Sequence, residues 1–266
     1  MALILAYLAA ALIGISLGLI GGGGSILTVP VLVFLFGISP ILSTSYSLFI
    51  VGTTSLVGAF NNYRKGFVSV KTALLFGLSS ITTVFLTRKF IIPAIPKHIV
   101  YIGSFDLTEN ILTMLLFAVL MVAAAMAMIR SSRKEEPAVV ENKKIDLVKL
   151  LIYGVAIGLA TGLLGAGGGF LLIPTLVLLV GLPMKQAVGT SLMIIALNSL
   201  IGFTGDLGHF HMDWTFLFKI TAIAVIGIFA GGMLGKKING DKLKKGFGWF
   251  VLVMGIYIIS RELFLK

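Results

Sequence analysis

The chain has 266 residues, of which 58% are hydrophobic and only 12% charged, with a mean hydropathy of +1.10 and a formal net charge of +11. Soluble domains carry about twice that share of charge, about 25%, and so few polar side chains cannot cover a surface in water; an ordinary cytosolic globule is excluded. Cysteine is absent and histidine occurs only at 98, 209 and 211, which excludes disulfides, Cys-ligated zinc, iron–sulfur clusters and thiol catalysis.

From Met1 to Tyr63 there is no Asp, Glu, Lys, Arg or His. At 1.5 Å per residue that stretch makes roughly 95 Å of helix, about three bilayer crossings. Residues 1–20 lack a basic leader-like start, so they read as a first membrane helix, about 2–20, and not as a cleaved signal. A glycine break follows at 21–24, then a short apolar segment at about 25–37 that Ile38-Ser39-Pro40 stops. Three more helices are expected at about 41–62, 69–88 and 107–129. Residues 130–146, RSSRKEEPAVVENKKID, are the only long charged stretch and read as a linker. The same series then returns: a helix at about 147–164, a break at 165–169, a short segment at about 170–181 stopped by Leu182-Pro183, and helices at about 185–205, 213–236 and 246–263. The basic residues fall in short loops between apolar runs. In a membrane protein that pattern marks topology, not a nucleic-acid surface.

The strongest feature is this internal repeat. GLIGGGGSILTVPVLVFLFGISP at 18–40 returns as GLLGAGGGFLLIPTLVLLVGLPM at 162–184, at a constant offset of 144 residues. Pro30 falls on Pro174, Ser47 on Ser191, Ser55 on Ser199 and Thr54 on Asn198. The fold expected is an all-α polytopic bundle of two structural repeats, each with a glycine-broken helix and a short half-helix. Its parts are a first transmembrane repeat at 1–129, a charged cytoplasmic linker at 130–146 and a second repeat at 147–266. If the short segments count as crossings, Arg64, Lys65, Lys71, the linker cluster, Lys185 and the 236–245 cluster share one side. Arg88, Lys89, Lys97, Arg261 and Lys266 take the other. That split favours ten crossings, with an odd number per half and hence inverted halves. Eight crossings with two re-entrant segments is the alternative.

A helix interrupted in lipid must have its freed backbone groups satisfied by protein, water or ligand. The helix that restarts after each break exposes unpaired N–H groups and the positive end of its dipole. Glycine lets an anion approach that backbone closely. Gly22, Gly23, Gly24 and Ser25 in the first half, and Gly167, Gly168 and Gly169 in the second, are therefore candidate substrate-binding positions. Ser47, Thr190, Ser191 and Asn198 are candidate neutral donors on the helices that follow. Membrane Ser and Thr also bond to their own helix backbone. Gly14-xxx-Gly18 and Gly158-xxx-Gly162 read as close helix packing. Arg88, near a helix end, is expected to snorkel to the interface. Asp206, His209, His211 and Asp213 are expected in a solvated turn beside Trp214. No HExxH, P-loop, dinucleotide fingerprint or Ser-His-Asp order is present; no catalytic residue, metal or cofactor is expected, and the chain reads as a non-enzyme.

GLIGGGGSILTVPVLV, GLLGAGGGFLLIPTLVLLVGLPMKQAVGTSLMIIALNSLIGF and GGMLGKKI at 231–238 resemble the TauE/SafE family of sulfite/organosulfonate exporter-like membrane permeases. The motif AVGTSL stands whole at Ala187–Leu192, whereas the first half reads STSYSL, with Tyr46 where the second has Thr190. The resemblance implies a bacterial or archaeal cytoplasmic-membrane transporter of small sulfur-containing anions such as sulfite or sulfonates. Its partners would be a small anionic substrate and the lipid bilayer, not nucleic acid, and a homo-oligomer is compatible with it. The resulting reading is an exporter working by alternating access. A small-anion channel or an uptake permease is the alternative.

Overall fold

The structure is a computed structural model that describes residues 2–102, 105–131, 147–178, 180–234 and 240–264. The first half runs α1 (Ala2–Ile20), a 3-10 segment (Gly21–Leu27), α2 (Thr28–Phe34), α3 (Pro40–Arg64) and α4 (Val70–Leu86). Helix α4 continues through a π turn (Thr87–Ile91) into α5 (Ile92–Ala94). A hairpin of β1 (His98–Ile102) and β2 (Phe105–Thr108) leads to α6 (Glu109–Ser131). The second half runs α7 (Leu147–Leu164), α8 (Gly169–Leu178), α9 (Met184–Asp206), α10 (Trp214–Leu234) and α11 (Gly240–Phe264). Apart from its first two residues, the expected linker lies outside the described residues.

Proline sets the restart after each short helix. Pro40 occupies the first turn of α3, and Pro183 immediately precedes Met184 of α9; a fixed φ suits a helix start and a missing N–H costs nothing there. Among the described residues, five helices are long and apolar enough to cross a membrane: Pro40–Arg64, Val70–Ala94, Glu109–Arg130, Met184–Asp206 and Trp214–Leu234. Shorter apolar helices accompany them at Tyr7–Leu19, Ser25–Phe34 and Val148–Leu164. The chain is an α-helical, multi-pass membrane protein.

The expectation of a helix ending at 88 needs correction. Phe90, Ile91 and Ile92 extend the apolar run, and the span continues to Ala94. The two-stranded hairpin beyond it, paired Tyr101↔Asp106 and Ile102↔Phe105, was not expected. Its first strand, HIVYI, is rich in the β-branched and aromatic residues that favour strands.

Helix directions follow from the glycine contacts. Gly14 of α1 faces Ala224 of α10 and Gly18 faces Ile228, so α1 and α10 run parallel. Gly154, Gly158 and Gly162 of α7 meet Ser79, Ser80 and Thr87 in turn, so α7 runs parallel to α4 and its continuation. These are the small-residue seams expected of membrane helices held together by close packing. By contrast, Gly52 of α3 meets Leu200 of α9, Gly58 meets Leu192, and Gly202 meets Leu48: α3 and α9 run antiparallel. So do α6 and α11, where Gly248 meets Ile129 and Gly255 meets Val122. Each half therefore lends its first helix to the other half, and the sequence-equivalent helices α3 and α9 meet at the centre.

Candidate functional site: the glycine interruptions and a buried ion pair

The second interruption, Gly165 to Gly168, joins α7 to α8. Gly165, Gly167 and Gly168 have φ of +66°, +66° and +68°, a backbone region that L side chains avoid. A Cβ on Gly165 would also collide with the backbone of Thr44, and one on Gly167 would lie 2.9 Å from Ile195 and 3.0 Å from Val51. These glycines let the chain reverse, so that α8 returns alongside α9. The carbonyls freed by the break find hydroxyl donors: Ser47 Oγ donates to the Gly165 carbonyl at 2.7 Å, and Ser25 Oγ donates to the Ala166 carbonyl. At the start of α8 the Gly168 carbonyl accepts the amides of Leu171 and Leu172, both at 3.0 Å. The preceding amides, at 169 and 170, form the open end of that helix.

The first interruption is tighter than expected, a 3-10 segment that contains Gly22, Gly23, Gly24 and Ser25. Gly21 packs against Val188 of α9, just as Gly165 packs against Thr44 of α3; Thr44 and Val188 are 144 residues apart. The bond from Ser25 to Ala166 joins the two interruptions directly. Gly167 lies against Val51 and Ile195, another pair at the repeat offset, both fully buried.

The candidate side chains divide. Ser25 and Ser47 lie at the interruptions, and Asn198 faces α4. Asn198 is fully buried; its Oδ1 accepts from Ser80 Oγ at 2.9 Å, and its Nδ2 has no partner among the described residues. Thr190 is employed elsewhere: its Oγ1 accepts the Ser69 amide at 2.9 Å, at the start of α4. In the other half the Asp213 amide donates to Tyr46 Oη at 2.7 Å, at the start of α10. Ser69 and Asp213 stand at the repeat offset, as do Tyr46 and Thr190. The departure from the AVGTSL pattern thus preserves one helix-start bond with a different hydroxyl. Ser191 Oγ donates to its own helix, to the Val188 carbonyl at 2.8 Å.

Sequence reasoning missed the most polar feature. Arg88 does not snorkel; it is fully buried in the π turn, as is Asp206 at the end of α9, and they pair at 3.2 Å. Arg88 Nη1 also donates to Thr44 Oγ1 at 3.0 Å, which ties the pair to the residue that packs on Gly165. The signal was the apolar stretch after Lys89, which moves Arg88 away from the end of its span. The loop beyond Asp206 is exposed at His209, His211 and Asp213, as expected, but Asp206 turns inward. Among the described residues no group of three His, Asp or Glu could hold a metal ion. Ser55, Ser199 and Thr161 have buried hydroxyls with no partner among the described residues. Ser199 Oγ lies beside Gly167 and Thr161 Oγ1 beside Gly168.

With this geometry the chain can be set beside known proteins. The family described as Sulfite exporter TauE/SafE matches residues 6–258. The chain belongs to the TauE/SafE family. A probable membrane transporter protein of Xylella fastidiosa is 29% identical over 256 residues, covering 94% of this chain and 92% of that protein. The probable membrane transporter protein YdhB of Bacillus subtilis is 27% identical over 230 residues, covering 86% of each. One from Methanocaldococcus jannaschii, MJ0441, is 34% identical over 115 residues, covering 41% of this chain and 43% of that protein. No solved structure matches the chain. TauE/SafE membership and these relatives make the protein a membrane transporter, and the interruptions lie within the TauE/SafE match.

Proposed function

We propose that this transporter exports small sulfur-containing oxyanions, such as sulfite or sulfonates, by alternating access between two inverted halves. The observation that carries the reading is the meeting of the two interrupted helices through Ser25 and Ala166. An interruption in lipid is tolerated only where it is buried in protein or lines a cavity, and transporters place their sites at such discontinuous helices. The amide end of α8 supplies positive potential without a fixed charge. Asn198 Nδ2, Ser55 and Ser199 supply polar atoms with no partner among the described residues. Gly22, Gly23, Gly24, Gly167, Gly168 and Gly169 are the backbone part of this site. Thr190 and Ser191, whose hydroxyls are engaged, stand outside it.

The antiparallel course of α3 and α9 supports inverted halves, because a repeat whose equivalent helices oppose each other has been turned over. The return of α8 beside α9 supports counting each short segment with its break as one crossing. Fully buried Val51 and Ile195 pack on Gly167 with apolar side chains, which favours a carrier with an occluded site over an open channel. The test is thermal-shift titration of the purified protein with sulfite, sulfate, thiosulfate and ethanesulfonate. Specific stabilisation that grows with concentration is expected. A response confined to cations or organic carboxylates overturns the reading.

A further inference from the structure

The Arg88–Asp206 pair is only half used. Asp206 Oδ2 and Thr44 Oγ1 both take Nη1. Arg88 Nε and Nη2 have no partner among the described residues, and the side chain is fully buried. Nε–H and Nη2–H point the same way along one edge of the guanidinium, the edge that grips two oxygens of a carboxylate, phosphate or sulfonate at once. Buried donors left empty are costly, so this edge is shaped for an acceptor. On the neighbouring residue, Thr87 Oγ1 is also buried with no partner among the described residues.

The repeat supplies a second argument. At the offset of 144 residues, Arg88 corresponds to Gly232 and Asp206 to Asn62. Gly232 has open space where a side chain would stand. In the repeat, α10 packs on α3 with no such pair, and position 232 lies exposed.

We propose that Arg88 is the cationic anchor of the transported oxyanion, and that Asp206 is a built-in competitor that holds Nη1 while the Nε–Nη2 edge receives two anion oxygens. This rests on the oxyanion reading above. The π turn sets Arg88 against Gly205, where the absence of a side chain leaves room for its Cβ. Thr44, which accepts from Nη1, links the pair to Gly165 of the second interruption. Asp206 lowers the net positive charge that an anion on the free edge would meet.

The experiment measures sulfite, sulfate and ethanesulfonate binding by calorimetry on the purified full chain, with thermal midpoint and gel filtration as fold controls. Arg88→Lys keeps the charge and loses the fork; it is expected to weaken binding about tenfold or more. Asp206→Asn removes the competitor and is expected to tighten binding. The charge-balanced double variant Arg88→Gln/Asp206→Asn avoids leaving one buried charge alone, and is expected to stay folded and to bind none of the three anions. Wild-type affinity in that double variant, or in Arg88→Lys, overturns the assignment. So does an Asp206→Asn variant that folds and binds as poorly as Arg88→Lys. If the wild-type protein binds none of the three, the oxyanion reading itself fails; if it binds and Arg88→Lys is unaffected, only the anchor is lost.

Discussion

Ser47 and Thr190 show how two hydroxyls with similar sequence surroundings do different work. Ser47 donates across 118 positions of chain to the Gly165 carbonyl, a group that the end of α7 leaves without a helical partner. Ser47→Ala would strand that buried carbonyl at a cost of about 1–3 kcal/mol, read as a lower thermal midpoint. Thr190→Val keeps the side-chain shape and removes the acceptor for the Ser69 amide. It should cost about 1 kcal/mol and leave anion affinity unchanged; a loss of affinity would return Thr190 to the site. From sequence these residues looked alike, because periodicity reports a helix face and not the neighbour that meets it. Arg88 was misread for the same reason. Its counter-ion lies 118 positions away, and only the packing of α4 on α9 brings the two together.

The interruptions were legible as elements because two glycine clusters, two short apolar segments and two prolines recur at one offset. The chemistry that makes them visible also makes one of them fragile. Gly165 combines a φ of +66° with the Thr44 backbone where a Cβ would sit. Gly165→Ala should therefore be severely destabilising, through strain and clash together. Gly232→Ala, inside α10 with open space around it, should be neutral or stabilising by up to about 1 kcal/mol. Comparing the thermal midpoints of the two variants checks this, and equal effects would deny the break its tight packing. The hairpin β1–β2 was overlooked. It is a short pairing between two long helices with no repeat counterpart, and its local signal, the glycine-first pair Gly-Ser between HIVYI and FDLT, is a weaker cue than Asn-Gly or Asp-Gly. The π turn was equally hidden, although Pro93 gives its cause afterwards. Proline has no N–H and crowds the carbonyl four residues back, and in the turn just before it the Ile92 amide bonds back to Thr87.

At the scale of the whole molecule, the reading of inverted halves makes a claim about sides. If each break with its short helix crosses, the 130–146 linker and the basic cluster at 236–245 share one face, and the hairpin takes the other. The chain has no cysteine, so Ser132→Cys, Asp241→Cys and Lys97→Cys each give a single label. An impermeant maleimide should reach the first two from the same side and the third from the opposite side; Asp241→Cys on the side of Lys97→Cys would mean re-entrant segments. The direction of transport follows from charge. An inside-negative potential drives each negative charge outward by about 2.3 kcal/mol per 100 mV, and a dianion by about twice that. Export then needs no second ion, whereas concentrative uptake would. Proteoliposomes loaded with sulfite should release it under a potassium-diffusion potential, negative inside, without any other gradient. Reversing the sign of the potential should reverse the flux, whichever way the protein is inserted. Sulfite accumulation against an inside-negative potential would show that an ion is coupled to uptake, and the export reading would fall.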